Sequence, residues 1–108
     1  MIAKLTGIVD SMGDGFVVVD VGGVGYLVFA SSKTLNSLPN IGEAVSLLIE
    51  THVREDHIHL FGFMDDVERD MYKILLGVQG VGAKVALGIL GALTPTAIQT
   101  EIVAGDKA

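Results

Sequence analysis

The chain has 108 residues, half of them hydrophobic, and its 13 acidic and 7 basic residues give a net charge of −6. This size suits one compact domain or two very small ones. The absence of cysteine excludes a disulfide framework and a thiolate metal site. Most DNA-binding domains carry a basic footprint, so a free monomer of this acidic chain should bind nucleic acid poorly. Any binding would rest on a few directed contacts, on oligomerisation or on residues outside this sequence.

The N-terminus does not have the pattern of a secretory signal. Lys4 and Gly7 stand where a signal peptide needs an apolar run. No apolar stretch approaches the ~20 residues of a membrane helix. We therefore expect a cytoplasmic protein that does not enter a membrane.

The first 63 residues have the β-branched content and alternation of strands. Gly22-Gly23 is a two-residue hairpin signal, and Gly25 is expected at a bulge or tight bend. A connection over 31–42, with one helical turn near residues 34–38, separates a three-stranded meander from a closing hairpin. This order predicts a five-stranded barrel of OB type, with an SH3-like barrel as the alternative. The five strands are predicted at 2–9, 16–21, 24–30, 44–53 and 58–63.

The period of the hydrophobic pattern changes from 2 to 3.6 after Phe63. Asp65 followed by Glu68 is a capping pattern for a helix, and Thr94-Pro95 and Gly105 predict the start and end of a third helix. Three such short helices should pack on the barrel or on another copy of the chain. The fold class is therefore α+β, with a barrel domain over 1–63 and an incomplete helical domain over 64–108. The apolar stripes of the first two helices are predicted to be Val67, Met71, Ile74, Leu75 and Val78, then Val85, Ile89 and Leu90.

The segment 78–84 joins two predicted helices by a loop so short that they must form a hairpin. Gly80 and Gly82 can adopt positive φ, and the free N–H groups that begin the second helix suit an anion. The residues after Gly82 are not the Lys and Ser or Thr of a P-loop, and Val85 replaces the third glycine of a dinucleotide fingerprint. Two interpretations remain: a helix-hairpin-helix that holds a phosphate beside Lys84, or an αα-turn without a ligand.

No catalytic or metal-binding constellation is evident. Glu55 and Asp56 lie side by side at a predicted hairpin tip, with too few other carboxylates for a two-metal nuclease. They are solvated turn residues in one copy, or a phosphate-repelling point where several copies meet around an axis. His57 and His59 share a strand face and, with only the distant His52, do not make a zinc site. We expect His57 and His59 on a polar outer face of the strand, and neither a metal nor a cofactor.

The barrel aromatics have two interpretations. They form a base-stacking platform, as in OB folds that bind single strands, or they fill the core. We expect the second, because a barrel this small needs aromatic rings inside. The residues concerned are Tyr26, Phe29, Phe61 and Phe63.

The segments 20–26, 52–56 leading into 60–63, and 80–84 together resemble the N-terminal half of the RuvA family, bacterial proteins that bind Holliday junctions. The resemblance extends over all 108 residues. It implies an OB-fold domain followed by a helix-hairpin-helix domain. It also implies assembly as a homotetramer, or an octamer of two tetramers, on which a four-way DNA junction lies flat.

The resemblance implies roles for single residues. Glu55 and Asp56 correspond to the family's acidic pin at the junction crossover. The phosphate-binding residues would be those of the first hairpin, where backbone amides hold DNA: Gln79, Gly80, Val81, Gly82 and Lys84. Gln79 and Ala83 stand where the family commonly has Asn and Pro, which leaves the amide donors in place but makes the turn less rigid.

For the whole protein, the resemblance implies a non-catalytic subunit of the RuvAB branch-migration complex in DNA recombination and repair. ATP hydrolysis would belong to the RuvB motor, and RuvC resolvase would be a further partner. The family's second hairpin and the C-terminal domain that contacts RuvB do not follow Ala108, so we expect a truncated chain. The alternative function is an oligomerisation scaffold that binds no DNA by itself.

Overall fold

A computed structural model describes residues 1–92 of the chain. The predicted strands are confirmed, although the first one runs on to Gly13, well beyond its expected end. The signals for a third helix, Thr94-Pro95 and Gly105, lie outside the described residues. The elements are β1 (Lys4–Gly13), β2 (Phe16–Val21), β3 (Val24–Phe29), α1 (Ser32–Ser37), β4 (Ala44–Val53), β5 (Ile58–Phe63), α2 (Asp66–Leu76) and α3 (Ala83–Ala92).

The five strands form a closed barrel in the order β1-β2-β3-β5-β4, and β4 pairs back with β1. The pairs are antiparallel except for β3 with β5, which run parallel. Helix α1 lies in the connection from β3 to β4. This topology is that of an OB-type barrel and decides against the SH3-like alternative. Within residues 1–92 no helix combines the length and apolarity needed to cross a membrane.

Two glycines form the turn between β2 and β3. Gly22 and Gly23 have φ of 60° and 94°, as a two-residue hairpin turn with two positive φ angles requires. Of the two alternatives predicted for Gly25, the bulge is wrong, because Gly25 pairs in register with Asp20. The register instead shifts at Asp10, where β1 leaves β4 and continues along β2. A bulge there bends β1 between its two partners.

The barrel interior is aliphatic. The expectation that the four aromatics fill it is correct only for Tyr26, which packs against this core, whereas alternation along β5 directs Leu60 inward and Phe61 and Phe63 outward. Phe61 and Phe63 are buried between the barrel and the helices, while Tyr26 and Phe29 are only partly buried. The barrel core consists of Leu5, Val9, Val17, Val19, Val28, Val45, Leu47, Ile49 and Leu60.

The helices pack on the outer face of the barrel through a second apolar cluster. Tyr72 of α2 is fully buried, with its ring centroid 4.9 Å from that of Phe63 and 5.7 Å from that of Phe61. Helix α3 lies so close to α1 that a Cβ at Gly91 would be 2.5 Å from the Ser32 hydroxyl oxygen. This second cluster consists of Phe61, Phe63, Met71, Tyr72, Leu75, Ala86 and Leu90. The division of the chain into two domains after residue 63 stays a prediction.

The predicted apolar stripe of α2 is only partly correct. Met71 and Leu75 are buried, but Val67, Ile74 and Val78 are each about half exposed. Val67 and Ile74, seven residues apart, lie on the same side of α2 beside the buried face, and Val78 lies in the turn after the helix. The buried face turns instead toward Glu68 and Tyr72, which contact the barrel and α1. On α3, likewise, Leu90 is buried while Val85 is exposed.

Candidate nucleic-acid interface

Helices α2 and α3 form the expected hairpin. The Gly77 N–H donates to the Ile74 carbonyl and ends α2, and the Val81 N–H donates to the Val78 carbonyl at 3.1 Å to close a tight turn. Gly80 within this turn has a φ of 87°, which favours glycine. We predicted that Gly80 and Gly82 can adopt positive φ, and of these two only Gly80 does so.

The loop offers unused backbone donors. Among residues 1–92, no protein acceptor takes the N–H groups of Gln79, Gly80, Gly82, Ala83 or Lys84. The first N–H of α3 that is bonded along the helix is that of Ala86, which donates to the Gly82 carbonyl at 2.9 Å. Free amides at the start of a helix suit an anion. The Val81 N–H is not among them, because it closes the turn.

Lys84 adds a positive charge next to these amides. Its side chain is exposed, and within the described part of the chain it forms no ion pair. The two basic residues of α2 are engaged: Arg69 lies 3.0 Å from Asp66, and Lys73 lies 3.8 Å from Glu50. Lys84 is therefore the basic side chain of the described hairpin that is available to a phosphate.

The acidic pair Glu55 and Asp56 is exposed at the tip between β4 and β5. The Arg54 N–H donates to the His57 carbonyl at 2.8 Å and closes the tip. Asp56 Oδ1 lies 2.8 Å from His57 Nδ1, and the His57 ring stacks on that of His59 with centroids 4.0 Å apart. The tip is thus a hydrogen-bonded turn with two exposed carboxylates.

A cavity of 590 Å³ brings the acidic tip and the start of α3 to one surface. We call it the tip cavity, and its lining consists of His52, Arg54, Glu55, Asp56, His57, His59, Phe61 and Ala83. A second cavity, of 520 Å³, adjoins it and shares His59, Phe61 and Ala83 with it. We call this one the aromatic groove, and the rest of its lining is Gly15, Phe29, Ala30, Ser31, Ser32, Lys84, Leu87 and Gly88.

The predicted site residues are therefore brought together only in part. Glu55 and Asp56 line the tip cavity and Lys84 lines the aromatic groove, and the face that the two cavities share consists of His59, Phe61 and Ala83. The loop residues 79–82 precede this face and line neither cavity. Within the described residues there is no cluster of three His, Asp or Glu side chains placed to hold a metal ion.

Sequence reasoning missed the pairing of His52 with Tyr72. The Tyr72 hydroxyl lies 3.2 Å from His52 Nε2. Burial, and secondarily the charge of Arg54, lower the pKa of His52, whereas burial and Glu50 raise the pKa of Tyr72. Tyr72 therefore remains protonated and can donate to neutral His52. The outer face of β5 is aromatic at His59, where we expected a polar face. The signal in the sequence would have been the pairing of β4 with β5, which places His52 opposite His59 and next to Phe61.

Residues 1–62 match the family described as RuvA N terminal domain. The chain is 55% identical over 107 residues to the Holliday junction branch migration complex subunit RuvA of Methylobacterium radiotolerans, which covers 99% of this chain and 52% of that protein. The protein of the same name from Methylorubrum extorquens is 57% identical, covering 99% and 51%. That from a Bradyrhizobium species is 56% identical, covering 100% and 53%. The chain spans about half the length of these curated relatives. It belongs to the RuvA family.

Proposed function

We propose that the chain is a non-catalytic DNA-binding unit that recognises four-way junctions by phosphate contact and shape. The observation that carries the proposal is that the acidic tip and the start of α3 border one concave face. The relatives, which are named as subunits of the Holliday junction branch migration complex, support the same reading. Both attraction and repulsion of phosphate are then available on one surface.

The grip would come from the hairpin. The amides of Gln79, Gly80 and Gly82 point to no protein acceptor within residues 1–92, and Lys84 is exposed and unpaired there. Contacts from backbone N–H groups and a lysine to phosphate carry no base information, so binding would be independent of DNA sequence. Val81 would act differently, by holding the turn through its own N–H.

The selection of shape would come from the acidic tip. Two unit charges 4 Å apart interact by about 1 kcal/mol even in water, so carboxylates from several copies would repel any phosphate that crosses them. Continuous duplex would have to run over Glu55 and Asp56, whereas the open centre of a four-way junction would not. The tip would thus separate and guide strands at the crossover.

Assembly is part of the proposal, because one copy provides only one tip. Val53 and Ile58 form a cross-strand pair directly below the tip, and each is 64% exposed. An exposed apolar pair beside a charged projection suits contact with another copy. A closed ring of four copies, or an octamer of two such rings, would bring the tips together around the axis.

The proposal assigns no reaction to this chain. ATP hydrolysis would belong to the RuvB motor, and the RuvC resolvase would be a further partner on the same junction. Recombination and repair of chromosomal DNA would place the protein in the bacterial cytoplasm. Within the chain, residues 1–63 would supply assembly and the acidic tip, and residues 64–108 the phosphate grip.

The net charge of −6 favours one other function, an oligomerisation scaffold that binds no DNA by itself. Gel-shift titration of the 108-residue chain with a four-way junction and with duplex of equal length, at low salt, separates the two. Light scattering of the same samples gives the mass in multiples of the 11.3 kDa chain. A tetramer that prefers the junction supports the proposal, whereas a tetramer that binds neither DNA supports the scaffold.

A further inference from the structure

The aromatic groove is a second recognition surface, which shares Lys84 with the proposed phosphate grip. It lies between the β3–β5 side of the barrel and helix α3, and its volume of 520 Å³ is in the range of small-ligand pockets, roughly 300–1,000 Å³. Its lining is mainly apolar, and the Ser31 hydroxyl on its wall is already bonded to Glu68 at 3.1 Å. The groove therefore suits a ligand with an apolar body.

Aromatic rings line one side of the groove. The Phe29 ring centroid lies 5.3 Å from that of His59, nearly perpendicular to it, and 5.8 Å from that of Phe61. Phe29 and His59 are only partly buried, so part of this ring surface is accessible. Aromatic side chains of this kind stack nucleobases regardless of sequence, because every base has a π-face.

The charge of the groove selects an anion. Lys84 is the one charged side chain among the described residues that line it, and no carboxylate does so, in a chain of net charge −6. We propose that the aromatic groove binds an unpaired nucleotide of single-stranded DNA, with the base against Phe29 and His59 and its phosphate at Lys84. The groove shares His59, Phe61 and Ala83 with the tip cavity. A nucleotide unpaired beside the acidic tip can therefore reach it. This inference rests on the proposed function.

Gly88 provides a way to block the groove without damaging the fold. It lines the groove on α3, and a Cβ built there meets no atom within 4 Å. Leucine is a better helix former than glycine, so Gly88→Leu should fold at least as stably while its side chain fills the space. Gly88→Ala is the matched control, because it makes the same helix improvement and leaves most of the groove open.

The test is an NMR titration of the 108-residue chain with a short oligothymidylate at low salt. We expect chemical-shift changes at Phe29, Ala30, His59 and Gly88, saturating together. Gly88→Leu should weaken binding by about fivefold or more, which corresponds to the loss of one stacked base, whereas Gly88→Ala should bind as the wild type does. A thermal melt of each variant checks that the fold is retained.

Three results would overturn the inference. Shift changes confined to the loop 79–84 would mean phosphate contact alone, and unweakened binding by Gly88→Leu would mean that the groove stays empty. If the chemical shifts of the groove residues change with protein concentration in the absence of oligonucleotide, another copy of the chain occupies the groove. Binding of a four-way junction by the same samples is measured in a separate titration. A bound junction with a silent groove contradicts only this inference, and an occupied groove without junction preference contradicts only the proposed function.

Discussion

The Thr34 hydroxyl lies 2.6 Å from one carboxylate oxygen of Glu68 and 2.8 Å from the other, which joins α1 to α2. Ser31 donates to the same carboxylate at 3.1 Å and the Met64 N–H at 3.0 Å. Glu68 is only 6% exposed, so these donors replace water around its charge. The arrangement determines how α2 leaves the barrel, and with it where the hairpin stands relative to the acidic tip.

Glu68→Ala should therefore lower the free energy of unfolding by about 3 kcal/mol, because it leaves buried donors unpaired. The control is Asp66→Ala on the same helix, which removes an exposed acid paired with Arg69 at 3.0 Å. That change should cost less than about 1 kcal/mol. Urea unfolding measures both. Equal losses in the two variants would show that the buried network does not hold α2.

Gly80 and Gly82 form a matched pair for testing the hairpin turn. Both have open space where a Cβ would lie, but only Gly80 has a positive φ, of 87°. Gly80→Ala should cost about 1–2 kcal/mol through backbone strain, and Gly82→Ala should cost much less. Chemical unfolding of the two variants gives the comparison. Indistinguishable stabilities would mean that the loop adopts another conformation in solution.

Lys84→Ala tests the proposed phosphate contact. It should weaken binding to junctions of different sequences alike and reduce the salt slope of log K by about 1, as the loss of one phosphate contact does. Lys4→Ala is the control, because Lys4 is exposed on β1 and lines neither cavity. Affinities over a series of salt concentrations provide the slope. An effect confined to one DNA sequence would speak against backbone contact.

His52 should make stability sensitive to acid. Burial lowers its pKa in the folded chain, so the unfolded chain binds more protons once the pH falls below about 6.5. The contribution of His52 to the free energy of unfolding should thus be complete well above pH 6.5 and be lost as the pH falls through and below that value. His52→Gln should reduce the decline, while His57→Gln at the exposed tip should retain it. Urea unfolding of the wild type and of both variants at several pH values measures this decline. An unchanged decline in His52→Gln would assign the acid sensitivity to another group.

Several features were predictable from the sequence because they depend on local patterns. Alternation located the strands, Gly22-Gly23 located a hairpin turn, and Asp65 was recognisable as a helix cap, whose carboxylate accepts the Glu68 N–H at 2.8 Å. The motifs around 52–56 and 80–84 led to the family. Each of these signals requires only residues that are neighbours in the chain.

Features that depend on tertiary packing were not predictable in the same way. Alternation places Leu60 and Phe61 on opposite faces of β5 but does not say which face is inside when both are apolar. The helices decide it by covering Phe61 and Phe63 from outside. The same packing buries Glu68 and leaves Val67 half exposed, against the apolar pattern of α2. The aromatic groove also depends on tertiary packing, because its lining comes from β3, β5, α1 and α3, which are far apart in the sequence.

The most direct test of the account is the selectivity of the double variant Glu55→Gln with Asp56→Asn. Its control is Asp10→Asn with Glu43→Gln, which makes the same charge change at exposed residues that line neither cavity. Competition binding between a four-way junction and duplex of equal length should show that the tip variant gains affinity for duplex and loses junction preference, while the control keeps it. If the tip variant, still assembled as a tetramer, discriminates between the two DNAs as the wild type does, the acidic tip does not select the junction.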